Sequence, residues 1–508
     1  MSSLNNNKIA KNSIYLYARK IITVAIGLYS SRLLLKELGI DDFGLYGLVG
    51  SVIMLFASLK SVFTDSIQRF LNIEKGQNNK SRIRLVFTYG VILNLCISIV
   101  FIIVAEIGGY MIIPRLNITY NNIDTAFWIL HFSILSAVVA IMTTPYDAVL
   151  IANERFNAYA FFAILDAFLR FCSVVLLCLL NNYKVIAYSA FLFISGIIVR
   201  IFSSIFCHKH YHEETKYLWK FDSDLLKKMT SFSSWNFLGK VGYTIYESGL
   251  NILLNLFGGV VVNAARSIAI NVRQLVFQFT NDTLAGFRPQ TIRAYGGNDH
   301  LNYKRLIFNA TKFSFIVSVI LAFLCSVFCR YLVEIWLGAP PPYSIEFIKC
   351  IMLYLLIVGM HSGIEMIFVT TAKLKQYQIF SLITYVSSLL CCLIALNCDF
   401  PFYSVFLIAA IFEFIRMMID MYLAHKFCMF PIKELYQEVI SKCLIVATVL
   451  IISYFIFNYI FTLKETWYTF IIEGTIASIY CVLLCYYLMF NSTQRKIIIS
   501  NFLLKIKH

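Results

Sequence analysis

Charge is scarce in this 508-residue chain: Asp, Glu, Lys and Arg together make up 14% of it, against 59% hydrophobic residues. A soluble domain carries nearly twice that charge, so the composition excludes a fold whose surface is mostly wet. Acids are the scarcer sign, 27 Asp and Glu against 43 Lys and Arg, for a net charge of +16. Metal-ligand patterns are missing: no CxxC pair is followed by a second, and the 14 cysteines lie scattered, mostly in apolar runs such as that of Cys391 and Cys392. His208, His210 and His212 cluster, but no Cys or second His pair stands nearby at ligand spacing. No metal or other cofactor is expected. The lack of a Walker-type glycine loop excludes ATP hydrolysis by this chain. There is no cleavable leader pattern either: Met1 to Lys11 is polar, and the first apolar run is interrupted by charge and too long for an h-region. The first helix is expected to be retained as its own insertion signal. External loops are too short to build a catalytic surface with positioned acids and bases, so no catalytic residue is assigned.

What fills the chain is apolar sequence. Hydrophobic stretches of about 18 residues or more, each long enough for a hydrocarbon core about 30 Å thick, recur along nearly the whole length. The spans fall at residues 12–36, 44–69, 85–113, 126–151, 158–180, 185–206, 231–256, 262–287, 306–330, 346–371, 377–397, 402–424, 442–462 and 467–490. The fold class expected is an all-α integral membrane protein of about 14 transmembrane helices.

The basic excess first suggests nucleic acid, but its distribution is topological. With the amino terminus cytoplasmic, one side collects Lys75, Lys80, Arg82, Arg84, Arg155, Lys209, Lys216, Lys220, Lys227, Lys228, Arg288, Arg293, Lys304, Arg305, Lys373, Lys375, Lys426, Lys433, Lys442 and the tail from Arg495. The other side holds Lys36, Arg115, Lys184, Arg330, Lys349 and Lys464. That is the positive-inside bias, which places both termini in the cytoplasm and makes nucleic acid an unneeded partner.

The longest connection, residues 207–230, is rich in charge and histidine and follows the sixth span. It divides the chain into an N-lobe over 1–206 and a C-lobe over 231–430, with two further helices and a basic tail over 431–508. Sliding the sequence on itself by 220 positions lays Ser13, Lys20 and Gly39 on Ser233, Lys240 and Gly259. A six-helix unit repeated in one orientation is an arrangement that transporters use, with the substrate site between the halves.

Ionisable side chains within spans are costly in lipid, so each is a candidate for function. In the first span Leu16, Lys20, Thr23, Gly27 and Ser31 recur every three or four residues, with Arg19 beside Lys20. In the seventh, Asn236, Lys240, Thr244, Glu247, Asn251 and Asn255 share one helical face. The eighth adds Asn263, Arg266, Arg273, Gln274, Gln278 and Asp282, and the second adds Lys60, Asp65 and Gln68. Facing one another, these four helices would line a cavity whose sign is set by Arg19, Lys20, Lys60, Lys240, Arg266 and Arg273, partly balanced by Glu247. Arginine and lysine there would replace the water lost by a phosphate or an acidic sugar. Charges near helix ends, among them Arg69, Arg200, Lys312, Arg32 and Arg19, have a second reading as side chains that snorkel to the interface. Asp166 with Arg170, and Glu413 with Arg416, stand at ion-pair spacing on one helix. Asp147, Asp166 and Glu365 are candidates for ion coupling.

The stretch Ser31-Arg32-Leu33 through Leu38-Gly39 and Phe43-Gly44-Leu45-Tyr46, after a polar-striped first helix, resembles the start of polysaccharide-biosynthesis flippases of the Wzx type. These belong to the superfamily that also holds the lipid II flippase MurJ and the MATE exporters. The turn Ala152-Asn153-Glu154-Arg155-Phe156 is similar to the family's cytoplasmic turn after the fourth span. The resemblance implies two six-helix lobes in a V-shaped arrangement plus two C-terminal helices, working by alternating access in a bacterial inner membrane. It implies as cargo an undecaprenyl diphosphate carrying an oligosaccharide repeat unit of O-antigen, capsule or exopolysaccharide, and as neighbours membrane lipids and polysaccharide polymerase or assembly proteins. It also implies cationic residues in the first, second and eighth helices, here Arg19, Lys20, Lys60, Arg266 and Arg273. A cation-coupled MATE-type drug or metabolite antiporter is the alternative within the same fold, and it calls for an acidic cavity. A membrane-embedded polymerase or glycosyltransferase is a third reading, and the short external loops argue against it.

Overall fold

The structure, a computed structural model, describes residues 2–115, 123–338, 341–460, 467–491 and 495. Among them the secondary structure is helical. In chain order the helices are α1 (Ser2–Gly76), α2 (Lys80–Ile112), α3 (Ile123–Ala152), α4 (Phe156–Leu177), α5 (Lys184–His210), α6 (His212–Thr215), α7 (Ser223–Gly296), α8 (His300–Val327), α9 (Cys329–Leu337), α10 (Ser344–Thr371), α11 (Leu374–Asn397), α12 (Ser404–Cys428), α13 (Ile432–Leu435), α14 (Ser441–Ile460) and α15 (Trp467–Met489). The all-α membrane fold expected from the apolar runs is the fold observed.

The two longest helices are each broken once. Gly39 in α1 has φ 76 and ψ 177, and Gly259 in α7 has φ 70 and ψ −167. That region of backbone space belongs almost solely to glycine. Each break separates two of the spans read from the sequence, and the two glycines are the pair that the internal offset superimposes. Nine helical segments among the described residues are long and apolar enough to cross a membrane. Neither half of α7, nor α12, is among them. Their Asn, Glu, Lys, Arg and Asp side chains are costly in lipid, and they take part in two of the polar clusters described below.

The chain forms two compact units, Met1–Phe237 with Ile292–Asp299, and Leu238–Thr291 with His300–His508. In the first unit α1 packs on α3 and α4, and α3 on α5. The core there includes Leu34, Phe101, Ile129, Leu130, Ile134, Val174 and Leu177. On α2, Leu95, Ile99, Ile103 and Ile107 are exposed at a spacing of four, the apolar stripe expected of a face turned to lipid. At the basic end the segment expected as a linker folds onto α1 and α2. Lys75 Nζ binds Glu214 at 2.8 Å and Asn153 Oδ1 at 2.6 Å, Arg82 meets Asp222 at 3.3 Å, and Arg84 meets Glu213. Asp222 caps α7 by accepting from the Leu225 amide, and that bond, with Arg82, holds its carboxyl below the usual range.

In the second unit α10 lies between α8 and α12. Close approach to α8 is set by Gly359 and Gly363, where an added Cβ would run into Ser318 and Thr311. The core joins α7 and α10 through Leu250, Leu254, Val262, Phe347, Ile351 and Leu355. The last two helices, α14 and α15, pack on α8 and on each other.

Candidate functional site

The first unit contains a cavity of about 490 Å³ walled by α1, α4 and α5. Arg19, Lys20, Thr23, Gly27, Ser30 and Ser31 line it from α1, Asp166 and Arg170 from α4, and Tyr188 from α5. The α1 residues fall there because the three-and-four spacing of its polar positions puts them on one face. Gly27 keeps the middle open, with nothing within 4 Å of the place its Cβ would take. Arg19 stands over the Tyr159 ring at 5.0 Å from the centroid, which holds a flexible cation in place. Arg170 donates from Nε to Asp166 Oδ2 at 2.9 Å, with about half of its side chain exposed to the cavity. Among the described residues, three cations against one carboxylate, together with the hydroxyls of Thr23, Ser30, Ser31 and Tyr188, make the lining basic and rich in hydrogen-bonding groups.

The second unit carries a counterpart that is closed. Glu247 on α7 accepts from Arg266 Nη2 at 2.8 Å through one carboxylate oxygen and from Arg273 Nη1 at 2.8 Å through the other. Arg266 also donates to the Glu247 carbonyl at 3.0 Å and to Asn251 Oδ1 at 3.2 Å. Arg273 sits 6.0 Å from the Tyr243 ring centroid and 5.9 Å from that of Tyr354. The space beside this cluster is about 20 Å³, room for about one water. Two of the cations expected to face cargo are thus bound to an acid of their own helix, across the Gly259 break.

A third polar cluster joins α10, α11 and α12. His361 Nδ1 lies 2.6 Å from Glu413 Oε1, and its Nε2 lies 2.8 Å from Asp420 Oδ2. Arg416 stands 3.5 Å from Glu413 and 3.6 Å from Asp420, and donates to the hydroxyls of Tyr377 at 2.6 Å and Tyr385 at 2.8 Å.

Sequence comparison bears on what these clusters serve. A family described as Polysaccharide biosynthesis protein matches residues 32–340, more than half of the chain. The chain belongs to that family. No curated protein matches it by sequence. Its fold is that of MOP-superfamily transporters. A MATE structure in the bent conformation aligns with TM-score 0.76 at 13% identity, covering 85% of this chain and 96% of that one. A MATE structure in complex with MaD3S gives 0.75 at 13% identity, over 85% and 97%. A MOP superfamily transporter from Pyrococcus furiosus, described by the reverse polarity of its binding pocket, gives 0.75 at 13% identity, over 85% and 96%.

For this member of the polysaccharide biosynthesis family, the structure gathers Arg19 and Lys20 at one cavity and Glu247, Asn251, Arg266 and Arg273 at one cluster. Lys240 and Asn236 are half-buried on α7, while Thr244 is exposed and its hydroxyl donates to the Lys240 carbonyl at 3.0 Å. Gln274 is exposed and Gln278 half-buried. Asp147 is buried near the end of α3, and Glu365 is exposed on α10. The Lys60 side chain, the loop 116–122 and the tail 496–508 lie outside the described residues. Arg69 and Lys312 do not snorkel: both are buried, Arg69 between the rings of Phe70 at 4.8 Å and Phe232 at 5.2 Å. Arg170 is both the local partner of Asp166 and a cavity wall. The sequence carries no signal for His361, since a lone histidine in an apolar helix has no visible partner there.

Proposed function

We propose that this protein is a flippase that carries undecaprenyl-diphosphate-linked oligosaccharide repeat units across the bacterial inner membrane by alternating access. One observation carries the reading: among the described residues, the cavity of the first unit presents Arg19, Lys20 and Arg170 with a single acid, Asp166, beside hydroxyl groups. A diphosphate loses strong hydration on leaving water, and guanidinium and ammonium groups replace it with charge-assisted hydrogen bonds. Ser, Thr and Tyr hydroxyls suit a sugar in the same way. Membership in the polysaccharide biosynthesis family supports a glycan precursor as cargo. A MATE-type exporter of cationic drugs needs a lining of the opposite sign. In this reading the polyprenyl tail remains in lipid, no bond of the cargo is made or broken, both termini are cytoplasmic, and polymerase or assembly proteins take the cargo on the far side. Lys240, half-buried on α7, is a further proposed contact for the anionic cargo.

The test is the leaflet distribution of lipid-linked repeat units in cells lacking the protein, measured by accessibility labelling. Accumulation in the cytoplasmic leaflet, relieved by the wild-type chain and not by Lys20→Glu or Lys240→Glu at equal expression, is the expected outcome. Normal translocation with altered sensitivity to cationic drugs would replace this reading with the antiporter.

A further inference from the structure

The His361 cluster of the second unit shares no residue with the basic cavity and has the makings of a proton-binding site. His361, Glu413 and Asp420 are 2%, 7% and 0% exposed. Both ring nitrogens of His361 face carboxylate oxygens within hydrogen-bond distance. Each of those contacts needs a proton between nitrogen and oxygen, and a neutral imidazole brings only one. The second must come from solution and reside on the ring or on a carboxyl group. With that proton present, the imidazolium and Arg416 balance Glu413 and Asp420. Without it the cluster carries one uncompensated negative charge and sets a nitrogen lone pair against a carboxylate oxygen.

The surroundings give no substitute for that proton. From α12 the charged neighbour is Arg416, already shared between Glu413 and Asp420 and bound to Tyr377 and Tyr385 of α11. α10 adds Tyr354 near Glu413 and, one turn past His361, Glu365 near Tyr377 and Tyr385. From α8, hydroxyls face this stretch of α10: Thr311 beside Gly363, Ser314 against Ser362 and Ser318 against the Leu355 carbonyl. From α7 the rings of Tyr243 and Tyr246 pack on Tyr385 at 5.8 and 5.2 Å between centroids, and Arg273 lies 5.9 Å from the Tyr354 ring. Asp420 is the less solvated carboxylate: Oδ2 meets His361 and Arg416, and Oδ1 accepts no hydrogen bond.

We propose that His361, held by Glu413 and Asp420, binds an exchangeable proton whose loss opens α10 from α12, and that this couples transport to a proton gradient. The coupling role rests on the transport reading above; the proton site itself does not. A net buried charge is strongly disfavoured, so deprotonation requires water to enter or the two helices to part, and protonation favours the closed arrangement. A group whose occupancy differs between two arrangements biases the equilibrium between them.

The experiment uses the full chain in liposomes with 15N-labelled histidine, wild type beside His361→Gln, so that the signal lost among the 8 histidines is that of His361. Across roughly pH 5 to 10 that signal is expected to change from a doubly to a singly protonated ring. Asp420→Asn is expected to shift the change to lower pH, and it supplies the assignment if His361→Gln does not fold. A signal constant across the range, or one that Asp420→Asn leaves in place, means a fixed ion quartet and overturns the proposal. In the same liposomes a fluorescent undecaprenyl diphosphate disaccharide is followed with and without an imposed pH gradient. Acceleration by the gradient in wild type and its loss in His361→Gln supports coupling; equal acceleration in both overturns it. No translocation by a wild-type chain whose His361 titrates counts against the flippase reading and leaves the proton site standing.

Discussion

The two units begin with the same device and use it differently. Each opens with a helix broken by a glycine at positive φ, Gly39 or Gly259, and each carries a polar stripe before the break. At the offset that superimposes those glycines, Lys20 falls on Lys240 and Gly27 falls on Glu247. Gly27 leaves a cavity of about 490 Å³ with its cations turned toward it. Glu247 occupies the corresponding place, binds Arg266 and Arg273, and leaves about 20 Å³. One repeated scaffold thus yields an open basic chamber where the position has no side chain, and a closed ion cluster where it has a carboxylate.

That difference can be broken from either side. The largest expected effect is on the closed cluster: Glu247→Gln leaves two buried guanidiniums without their acid, a loss of about 3–5 kcal/mol of stability. It should show as a fall in the melting temperature of the purified protein, and an unchanged value would mean that water reaches the arginines. On the open side, Gly27→Glu brings an acid among Arg19, Lys20 and Arg170. Loss of a charge-assisted contact worth about 1.5–3 kcal/mol predicts at least about tenfold weaker binding of undecaprenyl diphosphate to the folded chain. Gly39→Ala and Gly259→Ala each force a side chain into a glycine region of backbone space, at about 1–3 kcal/mol. Thermal unfolding of the two variants should agree if the breaks are equivalent, and a cost at only one of them would end the comparison. Smallest is Asp166→Asn, whose pair with Arg170 is partly exposed and contributes about 1 kcal/mol or less. Stability should barely change while the cavity becomes more basic, so binding of the anion should strengthen.

Much of this fold was legible in the sequence, because lipid imposes long apolar runs and because a repeat leaves the same residues at the same offset. The polar stripe of α1 puts Lys20, Thr23, Gly27 and Ser31 on one face with Arg19 beside it, and the cavity lies on that face. Tertiary placement was not legible. Nothing in the spacing of Asp166 and Arg170 says that α4 turns them toward α1, and the simple ion-pair reading was true but incomplete. The sequence suggests Glu247 as a partial balance to a cationic cavity, whereas helix contact across the Gly259 break gives it Arg266 and Arg273 as direct partners. Arg69 and Lys312 sit near helix ends, which suggested snorkelling, yet aromatic rings and neighbouring helices cover them. His361 has no local signal in the sequence, because its partners are 52 and 59 residues away.

The most direct measurement of the central claim is binding of undecaprenyl diphosphate to the purified full-length chain, with Lys20→Glu and Arg170→Glu compared with wild type and with a lipid-facing control, Ile103→Ala. Binding that is lost in both charge reversals and retained in the control is the result predicted for a cavity that holds the anionic headgroup. Equal binding by all four chains would contradict it.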